Sequence, residues 1–150
     1  MKTRIVTRQK VEAWPLNVWN AYVNLLAMEP YDELTEEQRP AHLVFWYESE
    51  VQNGGHLQYF ENRGTEHLHE TVDALELLGA NCQKEILQEA AKLFRGRERL
   101  PIASVEDFVA AAHEGEFKAF DRRFYACSPS LPDRLKAHLA LHQSWFVTIV

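Results

Sequence analysis

Seven histidines and two cysteines are the first places to look for metal or nucleophilic chemistry in this chain. His138 and His142 stand at i and i+4, a spacing that two zinc ligands on one helix face can use. No HExxH motif accompanies them, a third ligand would have to come from elsewhere, and both lie beside Leu135, Leu139 and Phe146. Packing or interface histidines are the better reading, and no metal is expected. His67 and His69 lie two apart and point to different helix faces. Glu50, His56 and Tyr59 surround the Gly54-Gly55 pair and form the one grouping suited to acid–base work. They come without a nucleophile elbow, a phosphate loop or a cofactor fingerprint, so catalysis and a cofactor are not expected. A small enzyme or ligand-binding domain centred on Glu50–Asn62 stands as the alternative. Cys82 and Cys127 form no CxxC motif and are too few for a disulfide scaffold. With no signal-peptide pattern after Met1, they are expected to be reduced thiols in a cytoplasmic protein.

Carboxylates are the other chemically active population. Acidic residues number 22 against 16 basic ones, a net charge of −6 that excludes a broadly basic nucleic-acid binder. The distribution says more than the sum. Residues 1–28 carry a net +3, residues 29–76 a net −10 with only Arg39 and Arg63 as cations, and residues 77–150 a net +1. No run approaches the ~20 apolar residues of a membrane span.

These groups must be positioned by helices, because the apolar spacing is helical nearly throughout. Trp19, Tyr22, Val23 and Leu26 predict a helix over about 16–27. Thr35-Glu36-Glu37-Gln38 reads as a capping box for a helix to about Gln52, with Pro40 placing its start near Arg39 or kinking it. Thr65 is placed as the N-cap, and Gly79 as the stop, of a helix carrying Leu68, Val72 and Leu75. Cys82, Ile86, Ala90 and Leu93 repeat the pattern up to Gly96. Ser104 opens a helix that Gly115 interrupts, Phe117, Phe120 and Phe124 line another, and Ser130 starts the last. No alternating strand pattern and no internal repeat is present. The expectation is all-α: a single globular domain, residues 1–150, of six to eight helices.

The unusual stretch is Glu50-Val-Gln-Asn53-Gly54-Gly55-His56-Leu57-Gln58-Tyr59-Phe60-Glu61-Asn62. Two glycines after an asparagine are expected to end the preceding helix and permit close backbone approach. The amides and the carboxylate around them can satisfy backbone groups that helix ends leave unpaired. Glu50, Asn53, Gly54, Gly55, Gln58, Tyr59, Phe60 and Asn62 therefore read as internal fastening. This run, with Ala-Leu-x-x-x-Gly-Ala at 74–80 and Ala-x-x-Leu-Phe at 90–94, resembles the bacterial DNA-mimic protein family, specifically so over about residues 35–95. The resemblance implies an all-helical, often dimeric fold with no known catalytic activity. It also implies acidic side chains, arranged like DNA phosphates, offered to a helix-turn-helix transcription regulator.

Mimicry would depend on surface carboxylates outside that motif. Glu66, Glu70 and Asp73 project within ~60° of one another, opposite the Leu68/Val72/Leu75 face, with Glu76 at the edge. The four span ~15 Å at ~1.5 Å per residue, about one charge per ~5 Å, against one phosphate per ~3.4 Å on a DNA strand. No Lys or Arg falls between 64 and 83, and Glu66/Glu70 is a like-charge i,i+4 pair costing ~0.2–0.5 kcal/mol. Asp32, Glu33, Glu36 and Glu37 have a local explanation in the helix dipole. The expected function is a non-enzymatic acidic interaction module that binds a DNA-binding protein rather than nucleic acid or membrane. An immunity-type inhibitor of another basic partner would use the same surface.

Overall fold

In the computed structural model, which describes residues 1–150, the two ends of the chain meet. Strand β1 (Arg4–Val6) pairs in parallel with strand β2 (Val147–Ile149), Arg4 opposite Val147 and Val6 opposite Ile149. The sequence predicts no strand here, because three residues are too few to display a period of two. A buried side chain reinforces the pairing. Gln38, fully buried, donates through Nε2 to the Lys2 and Trp145 carbonyls at 2.7 Å each, tying both termini to one helix entrance.

Between the strands run eight helices: α1 (Arg8–Ala13), α2 (Leu16–Met28), α3 (Arg39–Arg63), α4 (Leu68–Leu77), α5 (Asn81–Arg95), α6 (Val105–Glu114), α7 (Lys118–Ala126) and α8 (Leu131–His142). The domain is all-α apart from the terminal strand pair. Ser104 caps α6 by accepting the Asp107 N–H at 3.1 Å, and Ser130 caps α8 by accepting that of Asp133 at 3.4 Å. Pro40 lies in the first turn of α3, where its missing donor is harmless, so the helix starts at Arg39 without a kink there. Only half of the capping box forms: Gln38 Oε1 accepts the Thr35 N–H at 3.2 Å, while the Thr35 hydroxyl finds no partner. Thr65 is not a cap. Helix α4 starts at Leu68, and His67 occupies the cap position with no side-chain bond to the helix.

One apolar cluster fills the centre, with Tyr22, Leu25, Tyr47, Val51, Phe60, Leu75, Leu87 and Phe146 fully or almost fully buried. Each such side chain stabilises the fold by about 1.5–3 kcal/mol. Helix α3 runs through this cluster and packs against α2, α4, α7 and α8.

The glycine pair ends the first half of α3 as the sequence predicts, but a second helical half follows directly. The helix breaks at Gly54 (φ −155°, ψ 20°) and Gly55 (φ 73°, ψ −174°) and then resumes to Arg63. A break of this kind strips the next N–H groups of their helical acceptors. Asp121, on α7, replaces one of them: its Oδ1 accepts the His56 N–H at 2.9 Å, capping the second half of α3 from another helix.

The two cysteines are joined rather than free. Cys82, in the first turn of α5, and Cys127, just after α7, form a disulfide across a separation of 45 residues. The expectation of reduced thiols fails because α5 and α7 pack side by side, a juxtaposition that sequence spacing does not reveal. No helix is long and apolar enough to cross a membrane.

Candidate functional site

Helix α4 turns Leu68, Thr71, Ala74 and Leu75 into the core, which leaves Glu70, Asp73 and Glu76 on the opposite, exposed face. Glu66 is exposed too, but it sits in the turn before the helix and not on it. No Lys or Arg nitrogen lies within 4.0 Å of Glu66, Glu70 or Asp73; Asp73 meets only His69, at 3.4 Å. Glu76 is different, since Lys84 of α5 reaches it at 3.5 Å. A groove of about 640 Å³ between α4 and α5 continues the face, with Glu66, Glu70, Glu85 and Glu89 on its walls and Lys92 and Arg95 also lining it. Glu89 pairs with Arg123, which holds its carboxyl below the usual range.

The front of the acidic segment is neutralised internally. Lys2 bridges Glu29 and Glu33, both at 2.9 Å, and Arg4 reaches Glu29 at 3.0 Å. Arg97 and Arg99 turn the other way and clamp Glu116, whose carboxyl they push down to about 2. Within the net −10 of residues 29–76, Glu29 and Glu33 are therefore paired, while Glu66, Glu70 and Asp73, like Asp32, Glu36, Glu37 and Glu61, are exposed with no lysine or arginine partner.

The signature residues form two separate polar networks. Glu50, almost fully buried, accepts from Asn62 Nδ2 at 2.7 Å and Gln58 Nε2 at 3.0 Å, with Arg63 Nε at 3.6 Å. Gln58 reaches over Gly54, where an added Cβ would lie 2.2 Å from its Oε1. Arg63 in turn lies over the Trp46 ring at 3.8 Å. In the second network the fully buried His56 donates through Nδ1–H to Asp121 at 2.7 Å, and its Nε2 accepts the Tyr47 hydroxyl at 2.8 Å. Burial pushes the Tyr47 phenol far up, so it remains a donor. Tyr59 and Phe60 face the core, Phe60 stacking on Phe94 at 4.6 Å. Asn53 is exposed and its side chain makes no hydrogen bond; nothing in the structure explains it.

Glu50 and His56 thus share no hydrogen bond, and Tyr47, not Tyr59, is the phenol on the histidine. Tyr47, Arg63 and Asp121 are the site residues that sequence reasoning misses. Asp121 carries no local signal, being 65 residues away from His56 and on another helix. Beside the kink, a cleft of about 380 Å³ opens under α6, with Gly54, Leu57, Lys118 and Asp121 among its lining.

His69 and His113 are exposed, whereas His42, His67, His138 and His142 pack against neighbouring rings or backbone. His42 donates from Nδ1 to the Leu26 carbonyl at 3.0 Å, and the His142 ring stacks on Trp145 at 4.0 Å. His138 is buried with its Nε2 unpartnered, and no group of three or more His, Cys, Asp or Glu stands together around it. Burial pushes both His42 and His138 down to about 4 from 6.5. Between those values the unfolded chain takes up protons that the fold refuses, so stability is full above 6.5 and is lost as pH falls toward 4. The urea midpoint should therefore drop from pH 7 to pH 5, and His42→Gln/His138→Gln should flatten that slope; an equal slope in the variant refutes the assignment.

Among known proteins, a family model described as DMP19-like protein matches residues 32–142. That stretch holds both halves of α3, the acidic face and everything through α8, and leaves out the terminal strands. Neither curated proteins nor solved structures give a match.

Proposed function

The chain belongs to the DMP19-like family, and on that premise we propose that it is an acidic, non-enzymatic interaction module acting as a DNA mimic. Its target is a DNA-binding transcription regulator, whose basic DNA-contacting surface it covers. The observation that carries this reading is the bare face: Glu66, Glu70 and Asp73 are exposed and have no lysine or arginine partner. Glu70 and Asp73 share the exposed face of α4, where helical stability alone would favour a cation three or four residues away. Carboxylates left unneutralised lower the local potential and speed encounter with a basic surface. The neutralised patch at Lys2, Arg4, Glu29 and Glu33 plays no part.

Affinity capture from a host lysate at low and high salt tests the proposal. The expected catch is a DNA-binding protein that is released by salt, because exposed charge pairs are screened beyond ~10 Å at 0.1 M. Its operator complex should dissociate when the acidic chain is added. Glu66→Lys/Glu70→Lys/Asp73→Lys should weaken capture at least about tenfold. A partner indifferent to both salt and the triple reversal overturns the reading, and a basic partner that binds no DNA redirects it to an immunity-type inhibitor.

A further inference from the structure

We propose that the Cys82–Cys127 disulfide is a thiol-exchange site that sets how firmly residues 96–127 are held against the α3 kink. This proposal is independent of the acidic face and of any partner.

The segment is lightly anchored. Helix α6 buries no residue, and from Gly96 to Ala126 only Phe117 and Phe124 are buried. Its neck is closed by Arg97 and Arg99 on Glu116, at 2.9 and 2.6 Å. Its far end is fixed covalently to α5 by the disulfide. Yet this segment supplies the bonds that brace α3: Asp121 on the His56 N–H and imidazole, and the Tyr125 hydroxyl on the Val51 carbonyl at 3.2 Å. A covalent tie thus closes the α7 end of the segment whose Asp121 caps the broken helix, and apart from it the segment reaches the core through Phe117, Phe120 and Phe124, with nothing buried on α6.

The tie is accessible from one side. Cys82 is exposed, whereas Cys127 is only 8% exposed, so an incoming thiolate meets the Cys82 sulfur first. The reductant is a dithiol. Its thiolate bonds to Cys82 Sγ, the disulfide bond breaks, and the electron pair leaves on Cys127 Sγ, which takes a proton from solvent. The second thiol of the reductant then attacks the mixed disulfide, releasing Cys82 as a thiol and leaving the reductant as its cyclic disulfide. Two electrons and two protons pass to the chain. Gln83, buried beside Cys82, donates to the Pro129 carbonyl at 2.9 Å, and this bond keeps the 127–130 stretch near α5 so that the bridge can re-form.

Hydrogen exchange on the full chain, air-oxidised and after excess dithiothreitol, tests the proposal by mass spectrometry. The oxidised chain should show no alkylatable thiol, and the reduced chain both Cys82 and Cys127. On reduction, amides of α6, α7 and His56 should exchange about tenfold faster, while those of α2, the first half of α3 and α8 keep their rates. Oxidised glutathione should restore the slow pattern, and Cys82→Ser should show the fast one without responding to reductant. Free thiols in the oxidised chain overturn the proposal. So does unchanged exchange on reduction, and so does an acceleration spread evenly over all helices, which would make the bridge a staple of the whole domain.

Discussion

Gly55→Ala lowers the unfolding free energy by about 4 kcal/mol, while Gly64→Ala, in nearly the same backbone conformation, loses only about 1–3 kcal/mol. The pair separates two effects. Gly55 (φ 73°, ψ −174°) and Gly64 (φ 59°, ψ −149°) both occupy a region that residues with a Cβ rarely adopt, so each substitution carries the conformational penalty. At Gly64 nothing lies within 4 Å of the added carbon. At Gly55 the added carbon lands 2.5 Å from Asp121 Oδ2. That carboxylate cannot simply step aside, because its other oxygen holds the His56 N–H at 2.9 Å and the His56 ring at 2.7 Å. The excess loss at Gly55 is the displacement of Asp121 from these donors. Urea denaturation of the two variants gives the difference, and Asp121→Ala added to Gly55→Ala should cost less than the sum of the two single changes. Equal losses at the two glycines would remove Asp121 as the brace of the kink.

That brace shows where sequence reasoning stops. The helices are legible because their apolar spacing is periodic and because Ser104, Gly115 and Ser130 punctuate the chain where caps and stops occur. The glycine pair is legible as a break, but not as a break inside one continuing helix. What makes the helix resume is a carboxylate 65 residues downstream, and nothing near Gly55 announces it. The strand pair and the disulfide are hidden for the same reason, since both join segments that only the packed fold brings together. For the acidic segment, the absence of lysine and arginine between 64 and 83 coincides with three carboxylates, Glu66, Glu70 and Asp73, that no lysine or arginine reaches, although Glu66 lies before the helix and not on it. Glu76 leaves that set because Lys84, the first cation beyond the gap, folds back onto it. Local charge pairing can be inferred from i,i+4 spacing; pairing between elements, such as Lys2 with Glu29, cannot.

Glu50 closes the kink from the inside, and removing it should be the second large effect. Its carboxylate lies on the first half of α3, while Gln58 and Asn62, its donors at 3.0 and 2.7 Å, lie on the second half. One buried group therefore fixes the angle between the halves, as Asp121 fixes it from α7. Glu50→Ala leaves two amides without their acceptor in a partly buried site and frees Arg63, a loss of about 3 kcal/mol. Glu50→Gln keeps one oxygen that accepts, gives up the charge-assisted strength of both bonds, and should lose about half as much. Arg63→Ala should lose about 1 kcal/mol or less from the charge pair, since the arginine side chain is 37% exposed and its Nε sits 3.6 Å from the carboxylate. The order Glu50→Ala, Glu50→Gln, Arg63→Ala, measured by urea denaturation at pH 7, follows from amides and not the arginine being the principal partners. Should Arg63→Ala equal Glu50→Ala and cost nothing further in the Glu50→Ala background, the ion pair, and not the Trp46 stack, would be the dominant contact. Should Glu50→Gln equal wild type, the buried charge would contribute nothing, and the amide geometry alone would hold the two halves of α3 together.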